Sequence, residues 1–203
     1  MWTHFFLGRG NVLNSFKRLC VFCGSSFGEN EVYKVGAIAL GKTLAEHNIE
    51  LIYGGGNVGL MGELARTVLE NNGRVTGVIP KKIHDNVQHV ELSELIVVEN
   101  MHERKAKMYD LADAFIALPG GIGTLEELAE VMTWYQIGYH YKPIGILNTN
   151  EYYNHLQFML SHMVAEGFLK TEFIDKIVTD EHPASLVEKM AQQEMKYIDK
   201  WSN

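Results

Sequence analysis

Proline, cysteine, long apolar runs and basic charge are all scarce in this chain of 203 residues, and each shortage removes a class of protein. With 4 Pro, 46% hydrophobic and 21% charged residues, the composition is that of a globular protein and not of a disordered one. Lys and Arg number 18 against 25 Asp and Glu, a formal charge of −7. That balance excludes a broad basic face for gripping nucleic acid, so no nucleic-acid partner is expected. No stretch approaches the roughly 18 consecutive apolar residues of a membrane span, so no membrane partner is expected either. One small phosphorylated ligand stays compatible with the acidic balance, because backbone N–H groups attract an anion without net charge.

Only Cys20 and Cys23 are present, spaced C-x-x-C inside the apolar run Leu19-Cys-Val-Phe-Cys. On a strand, positions three apart face opposite sides, so the two thiols cannot share a metal or pair with one another. No second C-x-x-C or spaced His pair completes a zinc site, and two reduced core thiols suit a cytoplasmic protein. No metal and no cofactor are expected. The first 18 residues hold Arg9, Lys17 and Arg18 and no acid, without a signal-peptide apolar run. Residues 1–17 read as a leader outside the core fold and residues 18–203 as one domain.

From residue 18 onward, short apolar runs at 19–23, 50–53, 74–79, 95–98, 114–118 and 143–147 alternate with helical periods at about 29–47, 58–72, 101–112, 123–137, 151–165 and 184–198. The runs are rich in Val, Ile and Phe with few polar breaks, as in parallel strands buried on both faces. In 123–137, Leu125, Leu128, Met132 and Tyr135 form one stripe near a 3.6 period. The alternation predicts an α/β fold: a doubly wound, Rossmann-like parallel sheet with helices on both sides.

In such sheets ligands sit beyond the carboxyl ends of the strands. Three strand-to-helix junctions there are rich in glycine: Cys23-Gly24-Ser25-Ser26, Tyr53-Gly54-Gly55-Gly56-Asn57-Val58-Gly59-Leu60-Met61-Gly62, and Leu118-Pro119-Gly120-Gly121-Ile122-Gly123-Thr124. One glycine turn is commonplace, but three at one sheet edge point to phosphate or nucleotide binding. No Gly-Lys-Ser/Thr follows any of them, which excludes a P-loop. Gly54-x-Gly56-x-x-Gly59 fits the dinucleotide fingerprint, yet it follows the second run and residues 76–80 offer no acid for a ribose, so a nicotinamide dehydrogenase is a distant alternative.

Thr124-x-x-Glu127 fits a helix capping box, and so does Ser26-x-x-Glu29; the pattern alone leaves Glu127 either a cap or a carboxylate acting on a ligand's sugar. Arg104 and Lys105 fall near the start of a helix, where cations oppose the dipole unless an anion is near. Lys105 is also explained as a solvated surface residue, whereas the Arg104 fork suits a phosphate or base.

Pro119-Gly-Gly-Ile-Gly-Thr-Leu-Glu-Glu127 resembles the P-G-G-x-G-T-x-x-E signature of the LOG family, the cytokinin riboside 5′-monophosphate phosphoribohydrolases. Met101-His-Glu-Arg-Lys105 resembles the family's second element, and Cys23-Gly-Ser-Ser26, Tyr53-Gly-Gly-Gly56, Gly59-Leu-Met-Gly62, Thr133-Trp134 and Lys142-Pro143 match further segments. The resemblance runs over about residues 18–190. It implies hydrolysis of the N-glycosidic bond of an adenosine 5′-monophosphate, N6-substituted or plain, to free base and ribose 5-phosphate, with Arg104 and Glu127 catalytic and no cofactor. It further implies substrate contacts from Ser25, Ser26, Gly54, Gly55, Gly56, Lys105, Gly120, Gly121, Gly123, Thr124 and Thr133. Such proteins have also been labelled lysine decarboxylases, which would require pyridoxal phosphate on a lysine, and no lysine here has a recognisable setting for it. The segment 81–94 departs from the family, with Asn86 where many members place a substrate-binding glutamate. A homodimer is implied, with Trp134, Tyr135, Ile137, Tyr139 and Tyr141 as interface or core aromatic and apolar density. The alternative from another class is a non-catalytic nucleotide or molybdenum-cofactor carrier using the same pocket.

Overall fold

The computed structural model describes residues 16–85 and 91–195. Seven parallel strands form one sheet in the order β4-β3-β2-β1-β5-β6-β7. They are β1 Arg18–Phe22, β2 Glu50–Tyr53, β3 Val75–Pro80, β4 Glu94–Val98, β5 Ala114–Ala117, β6 Ile144–Leu147 and β7 Ile177–Asp180. The helices are α1 Val32–Glu46, α2 Gly59–Glu70, α3 Lys81–His84, α4 Met101–Leu111, α5 Ile122–Gln136, α6 Asn154–Ala165, α7 Thr171–Ile174 and α8 Pro183–Gln192. The expected doubly wound sheet is present. β7, α3 and α7 were not foreseen.

Side-chain alternation sorts the core into two layers. Leu19, Val21 and Cys23 face α1, α2 and α8, whose Leu40, Leu44, Leu64, Val68, Leu186 and Met190 complete one cluster. Cys20 and Phe22 face the opposite side, with Met108 of α4, Leu128 and Val131 of α5, and Phe173 of α7. The two cysteines thus sit on opposite faces, both free and buried, as the strand argument requires. Phe16, assigned to the leader by sequence, packs into the first cluster, and the amides of Lys17 and Arg18 both donate to Asp113 Oδ2 at 2.8 and 2.9 Å.

Local chemistry sets where the elements stop. α1 and α2 end at Asn48 and Asn72, both left-handed (φ 56° and 61°), a conformation asparagine tolerates better than most side chains. α1 begins at Val32 with Glu31 before it and no side-chain cap, so Ser26-x-x-Glu29 is not a capping box. α8 starts on Pro183, whose missing N–H costs nothing at a first helical position.

Chain order reverses beside β1: the strands run outward through β2, β3 and β4, then jump back so that β5 lies on the other side of β1. That switch point opens a crevice at the carboxyl ends of β1 and β5. Across it, the Gly24 amide donates to the Pro119 carbonyl at 3.1 Å.

His140, between α5 and β6, is held as a neutral ring. Its Nε2–H donates to the Val131 carbonyl at 2.9 Å, and its Nδ1 accepts from the Lys142 amide at 3.1 Å. Burial lowers its pKa from 6.5 to about 4, against the opposing pull of the Val131 carbonyl. The unfolded chain therefore takes up this proton at higher pH than the folded one. The resulting stability is complete above about pH 6.5 and is lost as the pH falls toward about 4. Melting temperatures measured from pH 7 to pH 4 should fall less steeply for His140→Gln than for the parent chain; equal slopes would contradict this assignment.

Candidate active site

The crevice holds a cavity of about 300 Å³ lined by Cys23, Gly24, Ser25, Met61, Arg104, Gly121, Ile122, Gly123, Thr124 and Glu127. The first and third glycine junctions meet here, while α4 supplies the arginine and α5 the glutamate.

α4 begins with a reciprocal cap between Asn100 and Glu103, at a place the sequence patterns did not suggest. The Asn100 side chain accepts from the Glu103 amide at 3.0 Å, and the Glu103 carboxylate accepts from the Glu99 amide at 3.1 Å. This fixes the first turn and carries Arg104 inward over the end of β3, where its Nε donates to the Val78 carbonyl at 3.3 Å. Its Nη1 donates to Glu127 Oε1 at 2.9 Å. Both side chains are largely shielded, each 11% exposed.

Glu127 is the sixth residue of α5, whose cap position is Gly121, so Thr124-x-x-Glu127 is not a capping box. Burial pushes the Glu127 carboxyl above its usual range, and the positive charge and hydrogen bond of Arg104 pull it partway back. The carboxyl is therefore shielded from water, with the Arg104 charge, and more weakly that of Lys105, opposing the effect of burial.

The helix starts at α2 and α5 have different fates. At α2, the Leu60 amide donates to the Ser26 carbonyl at 3.4 Å and the Met61 amide to the Gly24 carbonyl at 3.3 Å. The second glycine loop thus spends the Leu60 and Met61 amides of its helix start on the first loop. Its glycines serve close approach. A Cβ on Gly54 would lie 1.8 Å from Arg104 Nη2, and one on Gly59 (φ 58°) would lie 2.3 Å from the backbone of Ser25 and Ser26. At α5 the first helical bond runs from the Leu125 amide to the Gly121 carbonyl. The amides before it belong to the group that no helix can satisfy internally. Gly121 and Gly123 have open space where a Cβ would be.

Of the residues expected to contact substrate, Ser25, Gly121, Gly123 and Thr124 line the cavity with Arg104 and Glu127. Gly120 lies under the Thr124 hydroxyl, at the loop's inner side. Ser26, Gly54, Gly55 and Gly56 do not line it; Gly55 (φ 73°) packs against Val78 and Ile79. Lys105 points elsewhere: 8% exposed, its Nζ donates to Glu126 and, at 3.1 Å, to Glu130, which also accepts from the Tyr109 hydroxyl at 2.6 Å. It is neither a solvated surface residue nor a cavity residue. Thr133 donates to the Ala129 carbonyl at 2.7 Å and borders a separate apolar cavity between α5 and α6. Asn86 lies outside the described residues. Met61 and Ile122 line the site without having been singled out, since an apolar side chain inside a glycine motif carries no mark of its own.

The profile of the family described as “Possible lysine decarboxylase” matches residues 61–190. Over 180 residues, 88% of this chain and 84% of the relative, the sequence is 47% identical to cytokinin riboside 5′-monophosphate phosphoribohydrolase LOG1 of Arabidopsis thaliana. The identity is also 47% to the probable cytokinin riboside 5′-monophosphate phosphoribohydrolase LOGL2 of rice, over 89% of this chain and 75% of that protein. The chain belongs to the LOG family. Among solved structures, a molybdenum cofactor binding protein from Rippkaea orientalis aligns with a TM-score of 0.64 at 22% identity, covering 85% of this chain and 94% of the other. A molybdenum cofactor carrier protein from Chlamydomonas reinhardtii gives 0.62 at 19%, covering 87% and 98%. These two likenesses show the fold alone.

The glycine contacts separate two kinds of damage in this LOG-family chain. Gly59→Ala drives a Cβ into backbone at a left-handed position and should cost about 2–4 kcal/mol, read by denaturant unfolding. Gly54→Ala meets no backbone, so its cost should come through the displaced Arg104 and not through chain strain. It should push Arg104 off Glu127 and raise the carboxyl pKa further, read by NMR titration of that carboxyl. An unmoved Glu127 titration in Gly54→Ala would refute the contact.

Proposed function

We propose that this chain hydrolyses the N-glycosidic bond of an N6-substituted adenosine 5′-monophosphate, releasing the free base and ribose 5-phosphate. The single observation that carries the reading is the Arg104–Glu127 pair inside the cavity that begins at the α5 amides. An anion site and a shielded carboxylate share one crevice, as cleavage next to a 5′-phosphorylated ribose demands. The relatives' names point to the same substrate class.

The 5′-phosphate rests on the amides of the Gly121–Thr124 turn and the Thr124 hydroxyl, with the α5 dipole behind them. Ser25 borders the ribose. Glycosidic cleavage passes through an oxocarbenium-like sugar, which needs negative charge beside the ring and an activated water. Glu127 supplies both: its charge stabilises the developing cation, and it takes the proton from the attacking water as the base departs. Arg104 holds Oε1 and keeps the carboxylate ionised, which leaves Oε2 to act on the water. The guanidinium is itself anchored by the Val78 carbonyl, so the acceptor stays aimed without a ligand present.

A lysine decarboxylase would bind pyridoxal phosphate through a lysine, and the residues do not fit that group. None of the cavity-lining residues is a lysine, and Lys105 is engaged by Glu126 and Glu130. The protein works in the cytoplasm as a homodimer in this reading. Of the aromatic cluster, Tyr135 is buried in the core, whereas Tyr139 and Tyr141 are exposed and supply contact surface.

The test is a panel of purine and pyrimidine monophosphates, including AMP and its N6-isopentenyl derivative, scored for ribose 5-phosphate. Glu127→Gln should lower kcat by roughly 10³-fold or more while the chain still folds, with a lowered melting temperature because shielded Arg104 loses its charged partner. Near-normal turnover in that variant would remove Glu127 from the chemistry. Arg104→Ala should also abolish most turnover and move the acid limb of the pH profile upward, because the carboxylate loses the charge that lowers its pKa.

A further inference from the structure

Beyond the cavity, the turn between β6 and α6 reaches back to the phosphate-binding loop in an unusual way. Leu118, Pro119 and Gly120 are the first three of the four residues that carry the chain from β5 to the start of α5. All three of their carbonyls are engaged. The Tyr153 hydroxyl donates to Leu118 O at 2.6 Å, the Gly24 amide to Pro119 O at 3.1 Å, and the Tyr152 hydroxyl to Gly120 O at 2.5 Å. Two of these three donors are phenols more than 30 residues downstream.

The turn that presents them is itself conformationally costly. Asn150 and Glu151 are consecutive left-handed residues (φ 53° and 58°), and neither is glycine. Buried Asn148 holds the far side: its Oδ1 accepts from the Tyr153 amide at 2.7 Å, and its Nδ2 donates to Asn154 Oδ1 at 2.8 Å. Thr149 packs under Gly36 of α1, where a Cβ would come within 2.9 Å of the threonine hydroxyl. The two phenol rings meet edge to face at 5.1 Å, and Tyr33 of α1 packs edge to face on Tyr152 at 5.7 Å. Burial raises the Tyr153 hydroxyl pKa, so this group stays a donor throughout the working range.

We propose that Tyr152 is a positioning residue for substrate: by holding the Gly120 carbonyl it orients the Gly121 amide that receives the 5′-phosphate, while Tyr153, bonded to the Leu118–Pro119 peptide that has no N–H, anchors the end of β5 beneath the loop. A peptide unit has two ends. Fixing the carbonyl of Gly120 fixes the plane of the Gly120–Gly121 peptide, and with it the direction of the Gly121 N–H at the cavity wall. Glycine at 120 and 121 would otherwise let that plane rotate with little steric resistance. The phenols replace a rigidity that the side-chain-free loop cannot supply for itself.

This inference rests on the assignment of the phosphate to the α5 amides, and its test reads phosphate affinity directly. Tyr152→Phe and Tyr153→Phe remove only the hydroxyl and keep the rings. Each variant is assayed for turnover of the N6-isopentenyl nucleotide and, by calorimetry, for ribose 5-phosphate and for adenosine, which lacks the phosphate. For Tyr152→Phe, KM and the ribose 5-phosphate Kd should each rise roughly 10-fold, about one hydrogen bond's worth. kcat should stay within about twofold, and adenosine affinity should not change. An unchanged Kd and KM, a fall in kcat alone, or equal weakening of adenosine would each overturn the proposal. Tyr152 is partly exposed, so its variant carries the test should the buried Tyr153→Phe fail to fold. Failure of the parent chain to hydrolyse any nucleotide while it still binds ribose 5-phosphate would count against the proposed function alone. Failure to bind ribose 5-phosphate at all would overturn both.

Discussion

The contact between Arg104 and Glu127 constrains more of this molecule than any other pair. Each group is shielded from water, and a charge without its partner at that depth would cost several kcal/mol. The pair is therefore self-enforcing, and its surroundings are shaped to permit it. Gly54 has no side chain because the guanidinium occupies that space. The Val78 carbonyl at the end of β3 takes the Nε proton, and the Asn100–Glu103 cap sets the angle at which α4 delivers the arginine. Through one ion pair, the ends of β2 and β3 and the two helices flanking β5 are locked around the switch point.

That lock also explains why two glycine-rich helix starts at the same sheet edge act differently. A helix N-terminus attracts an anion only while its amides are free. At α2 the carbonyls of Gly24 and Ser26 occupy them, so the glycines there serve chain crossing, most sharply at Gly59. At α5 the preceding carbonyls are the ones tied down, and Gly121–Thr124 line the cavity. Glycine content says that backbone comes close to something. The hydrogen-bond ledger of each junction decides whether that something is another loop or a ligand.

Much of this was legible in residue order. The six foreseen strands carry continuous apolar runs, which only a doubly covered parallel sheet explains. β7 was missed because Ile-Val-Thr-Asp holds only two apolar residues in a row, and α3 and α7 because four residues hold no helical period. Arg104 and Glu127 were legible as a family signature, whereas their direct contact was not, since 23 residues of sequence separate them. Lys105 stood beside Arg104 in the same motif. On a helix, however, successive residues point about 100° apart, and the second cation is turned toward Glu126 and Glu130 of α5. Ser26-x-x-Glu29 and Thr124-x-x-Glu127 both met the capping pattern and neither caps, while the working cap at Asn100–Glu103 uses an asparagine that the Ser/Thr pattern passes over. Tyr152 and Tyr153 carried no signal at all, because a phenol bonded to a distant carbonyl looks in sequence like any core or surface tyrosine.

The likeness to molybdenum cofactor proteins shows how little of the chemistry resides in the sheet. A parallel sheet with a switch point offers a crevice and a helix dipole to any phosphorylated ligand. Hydrolysis of a glycosidic bond needs one more element, a carboxylate that is ionised yet kept from water. Those two conditions oppose each other, since burial raises the Glu127 pKa and exposure would disperse its field. Arg104 reconciles them by stabilising the ionised form inside the shielded site. On this scaffold one cation from α4 and one carboxylate in the second turn of α5 meet in the same crevice.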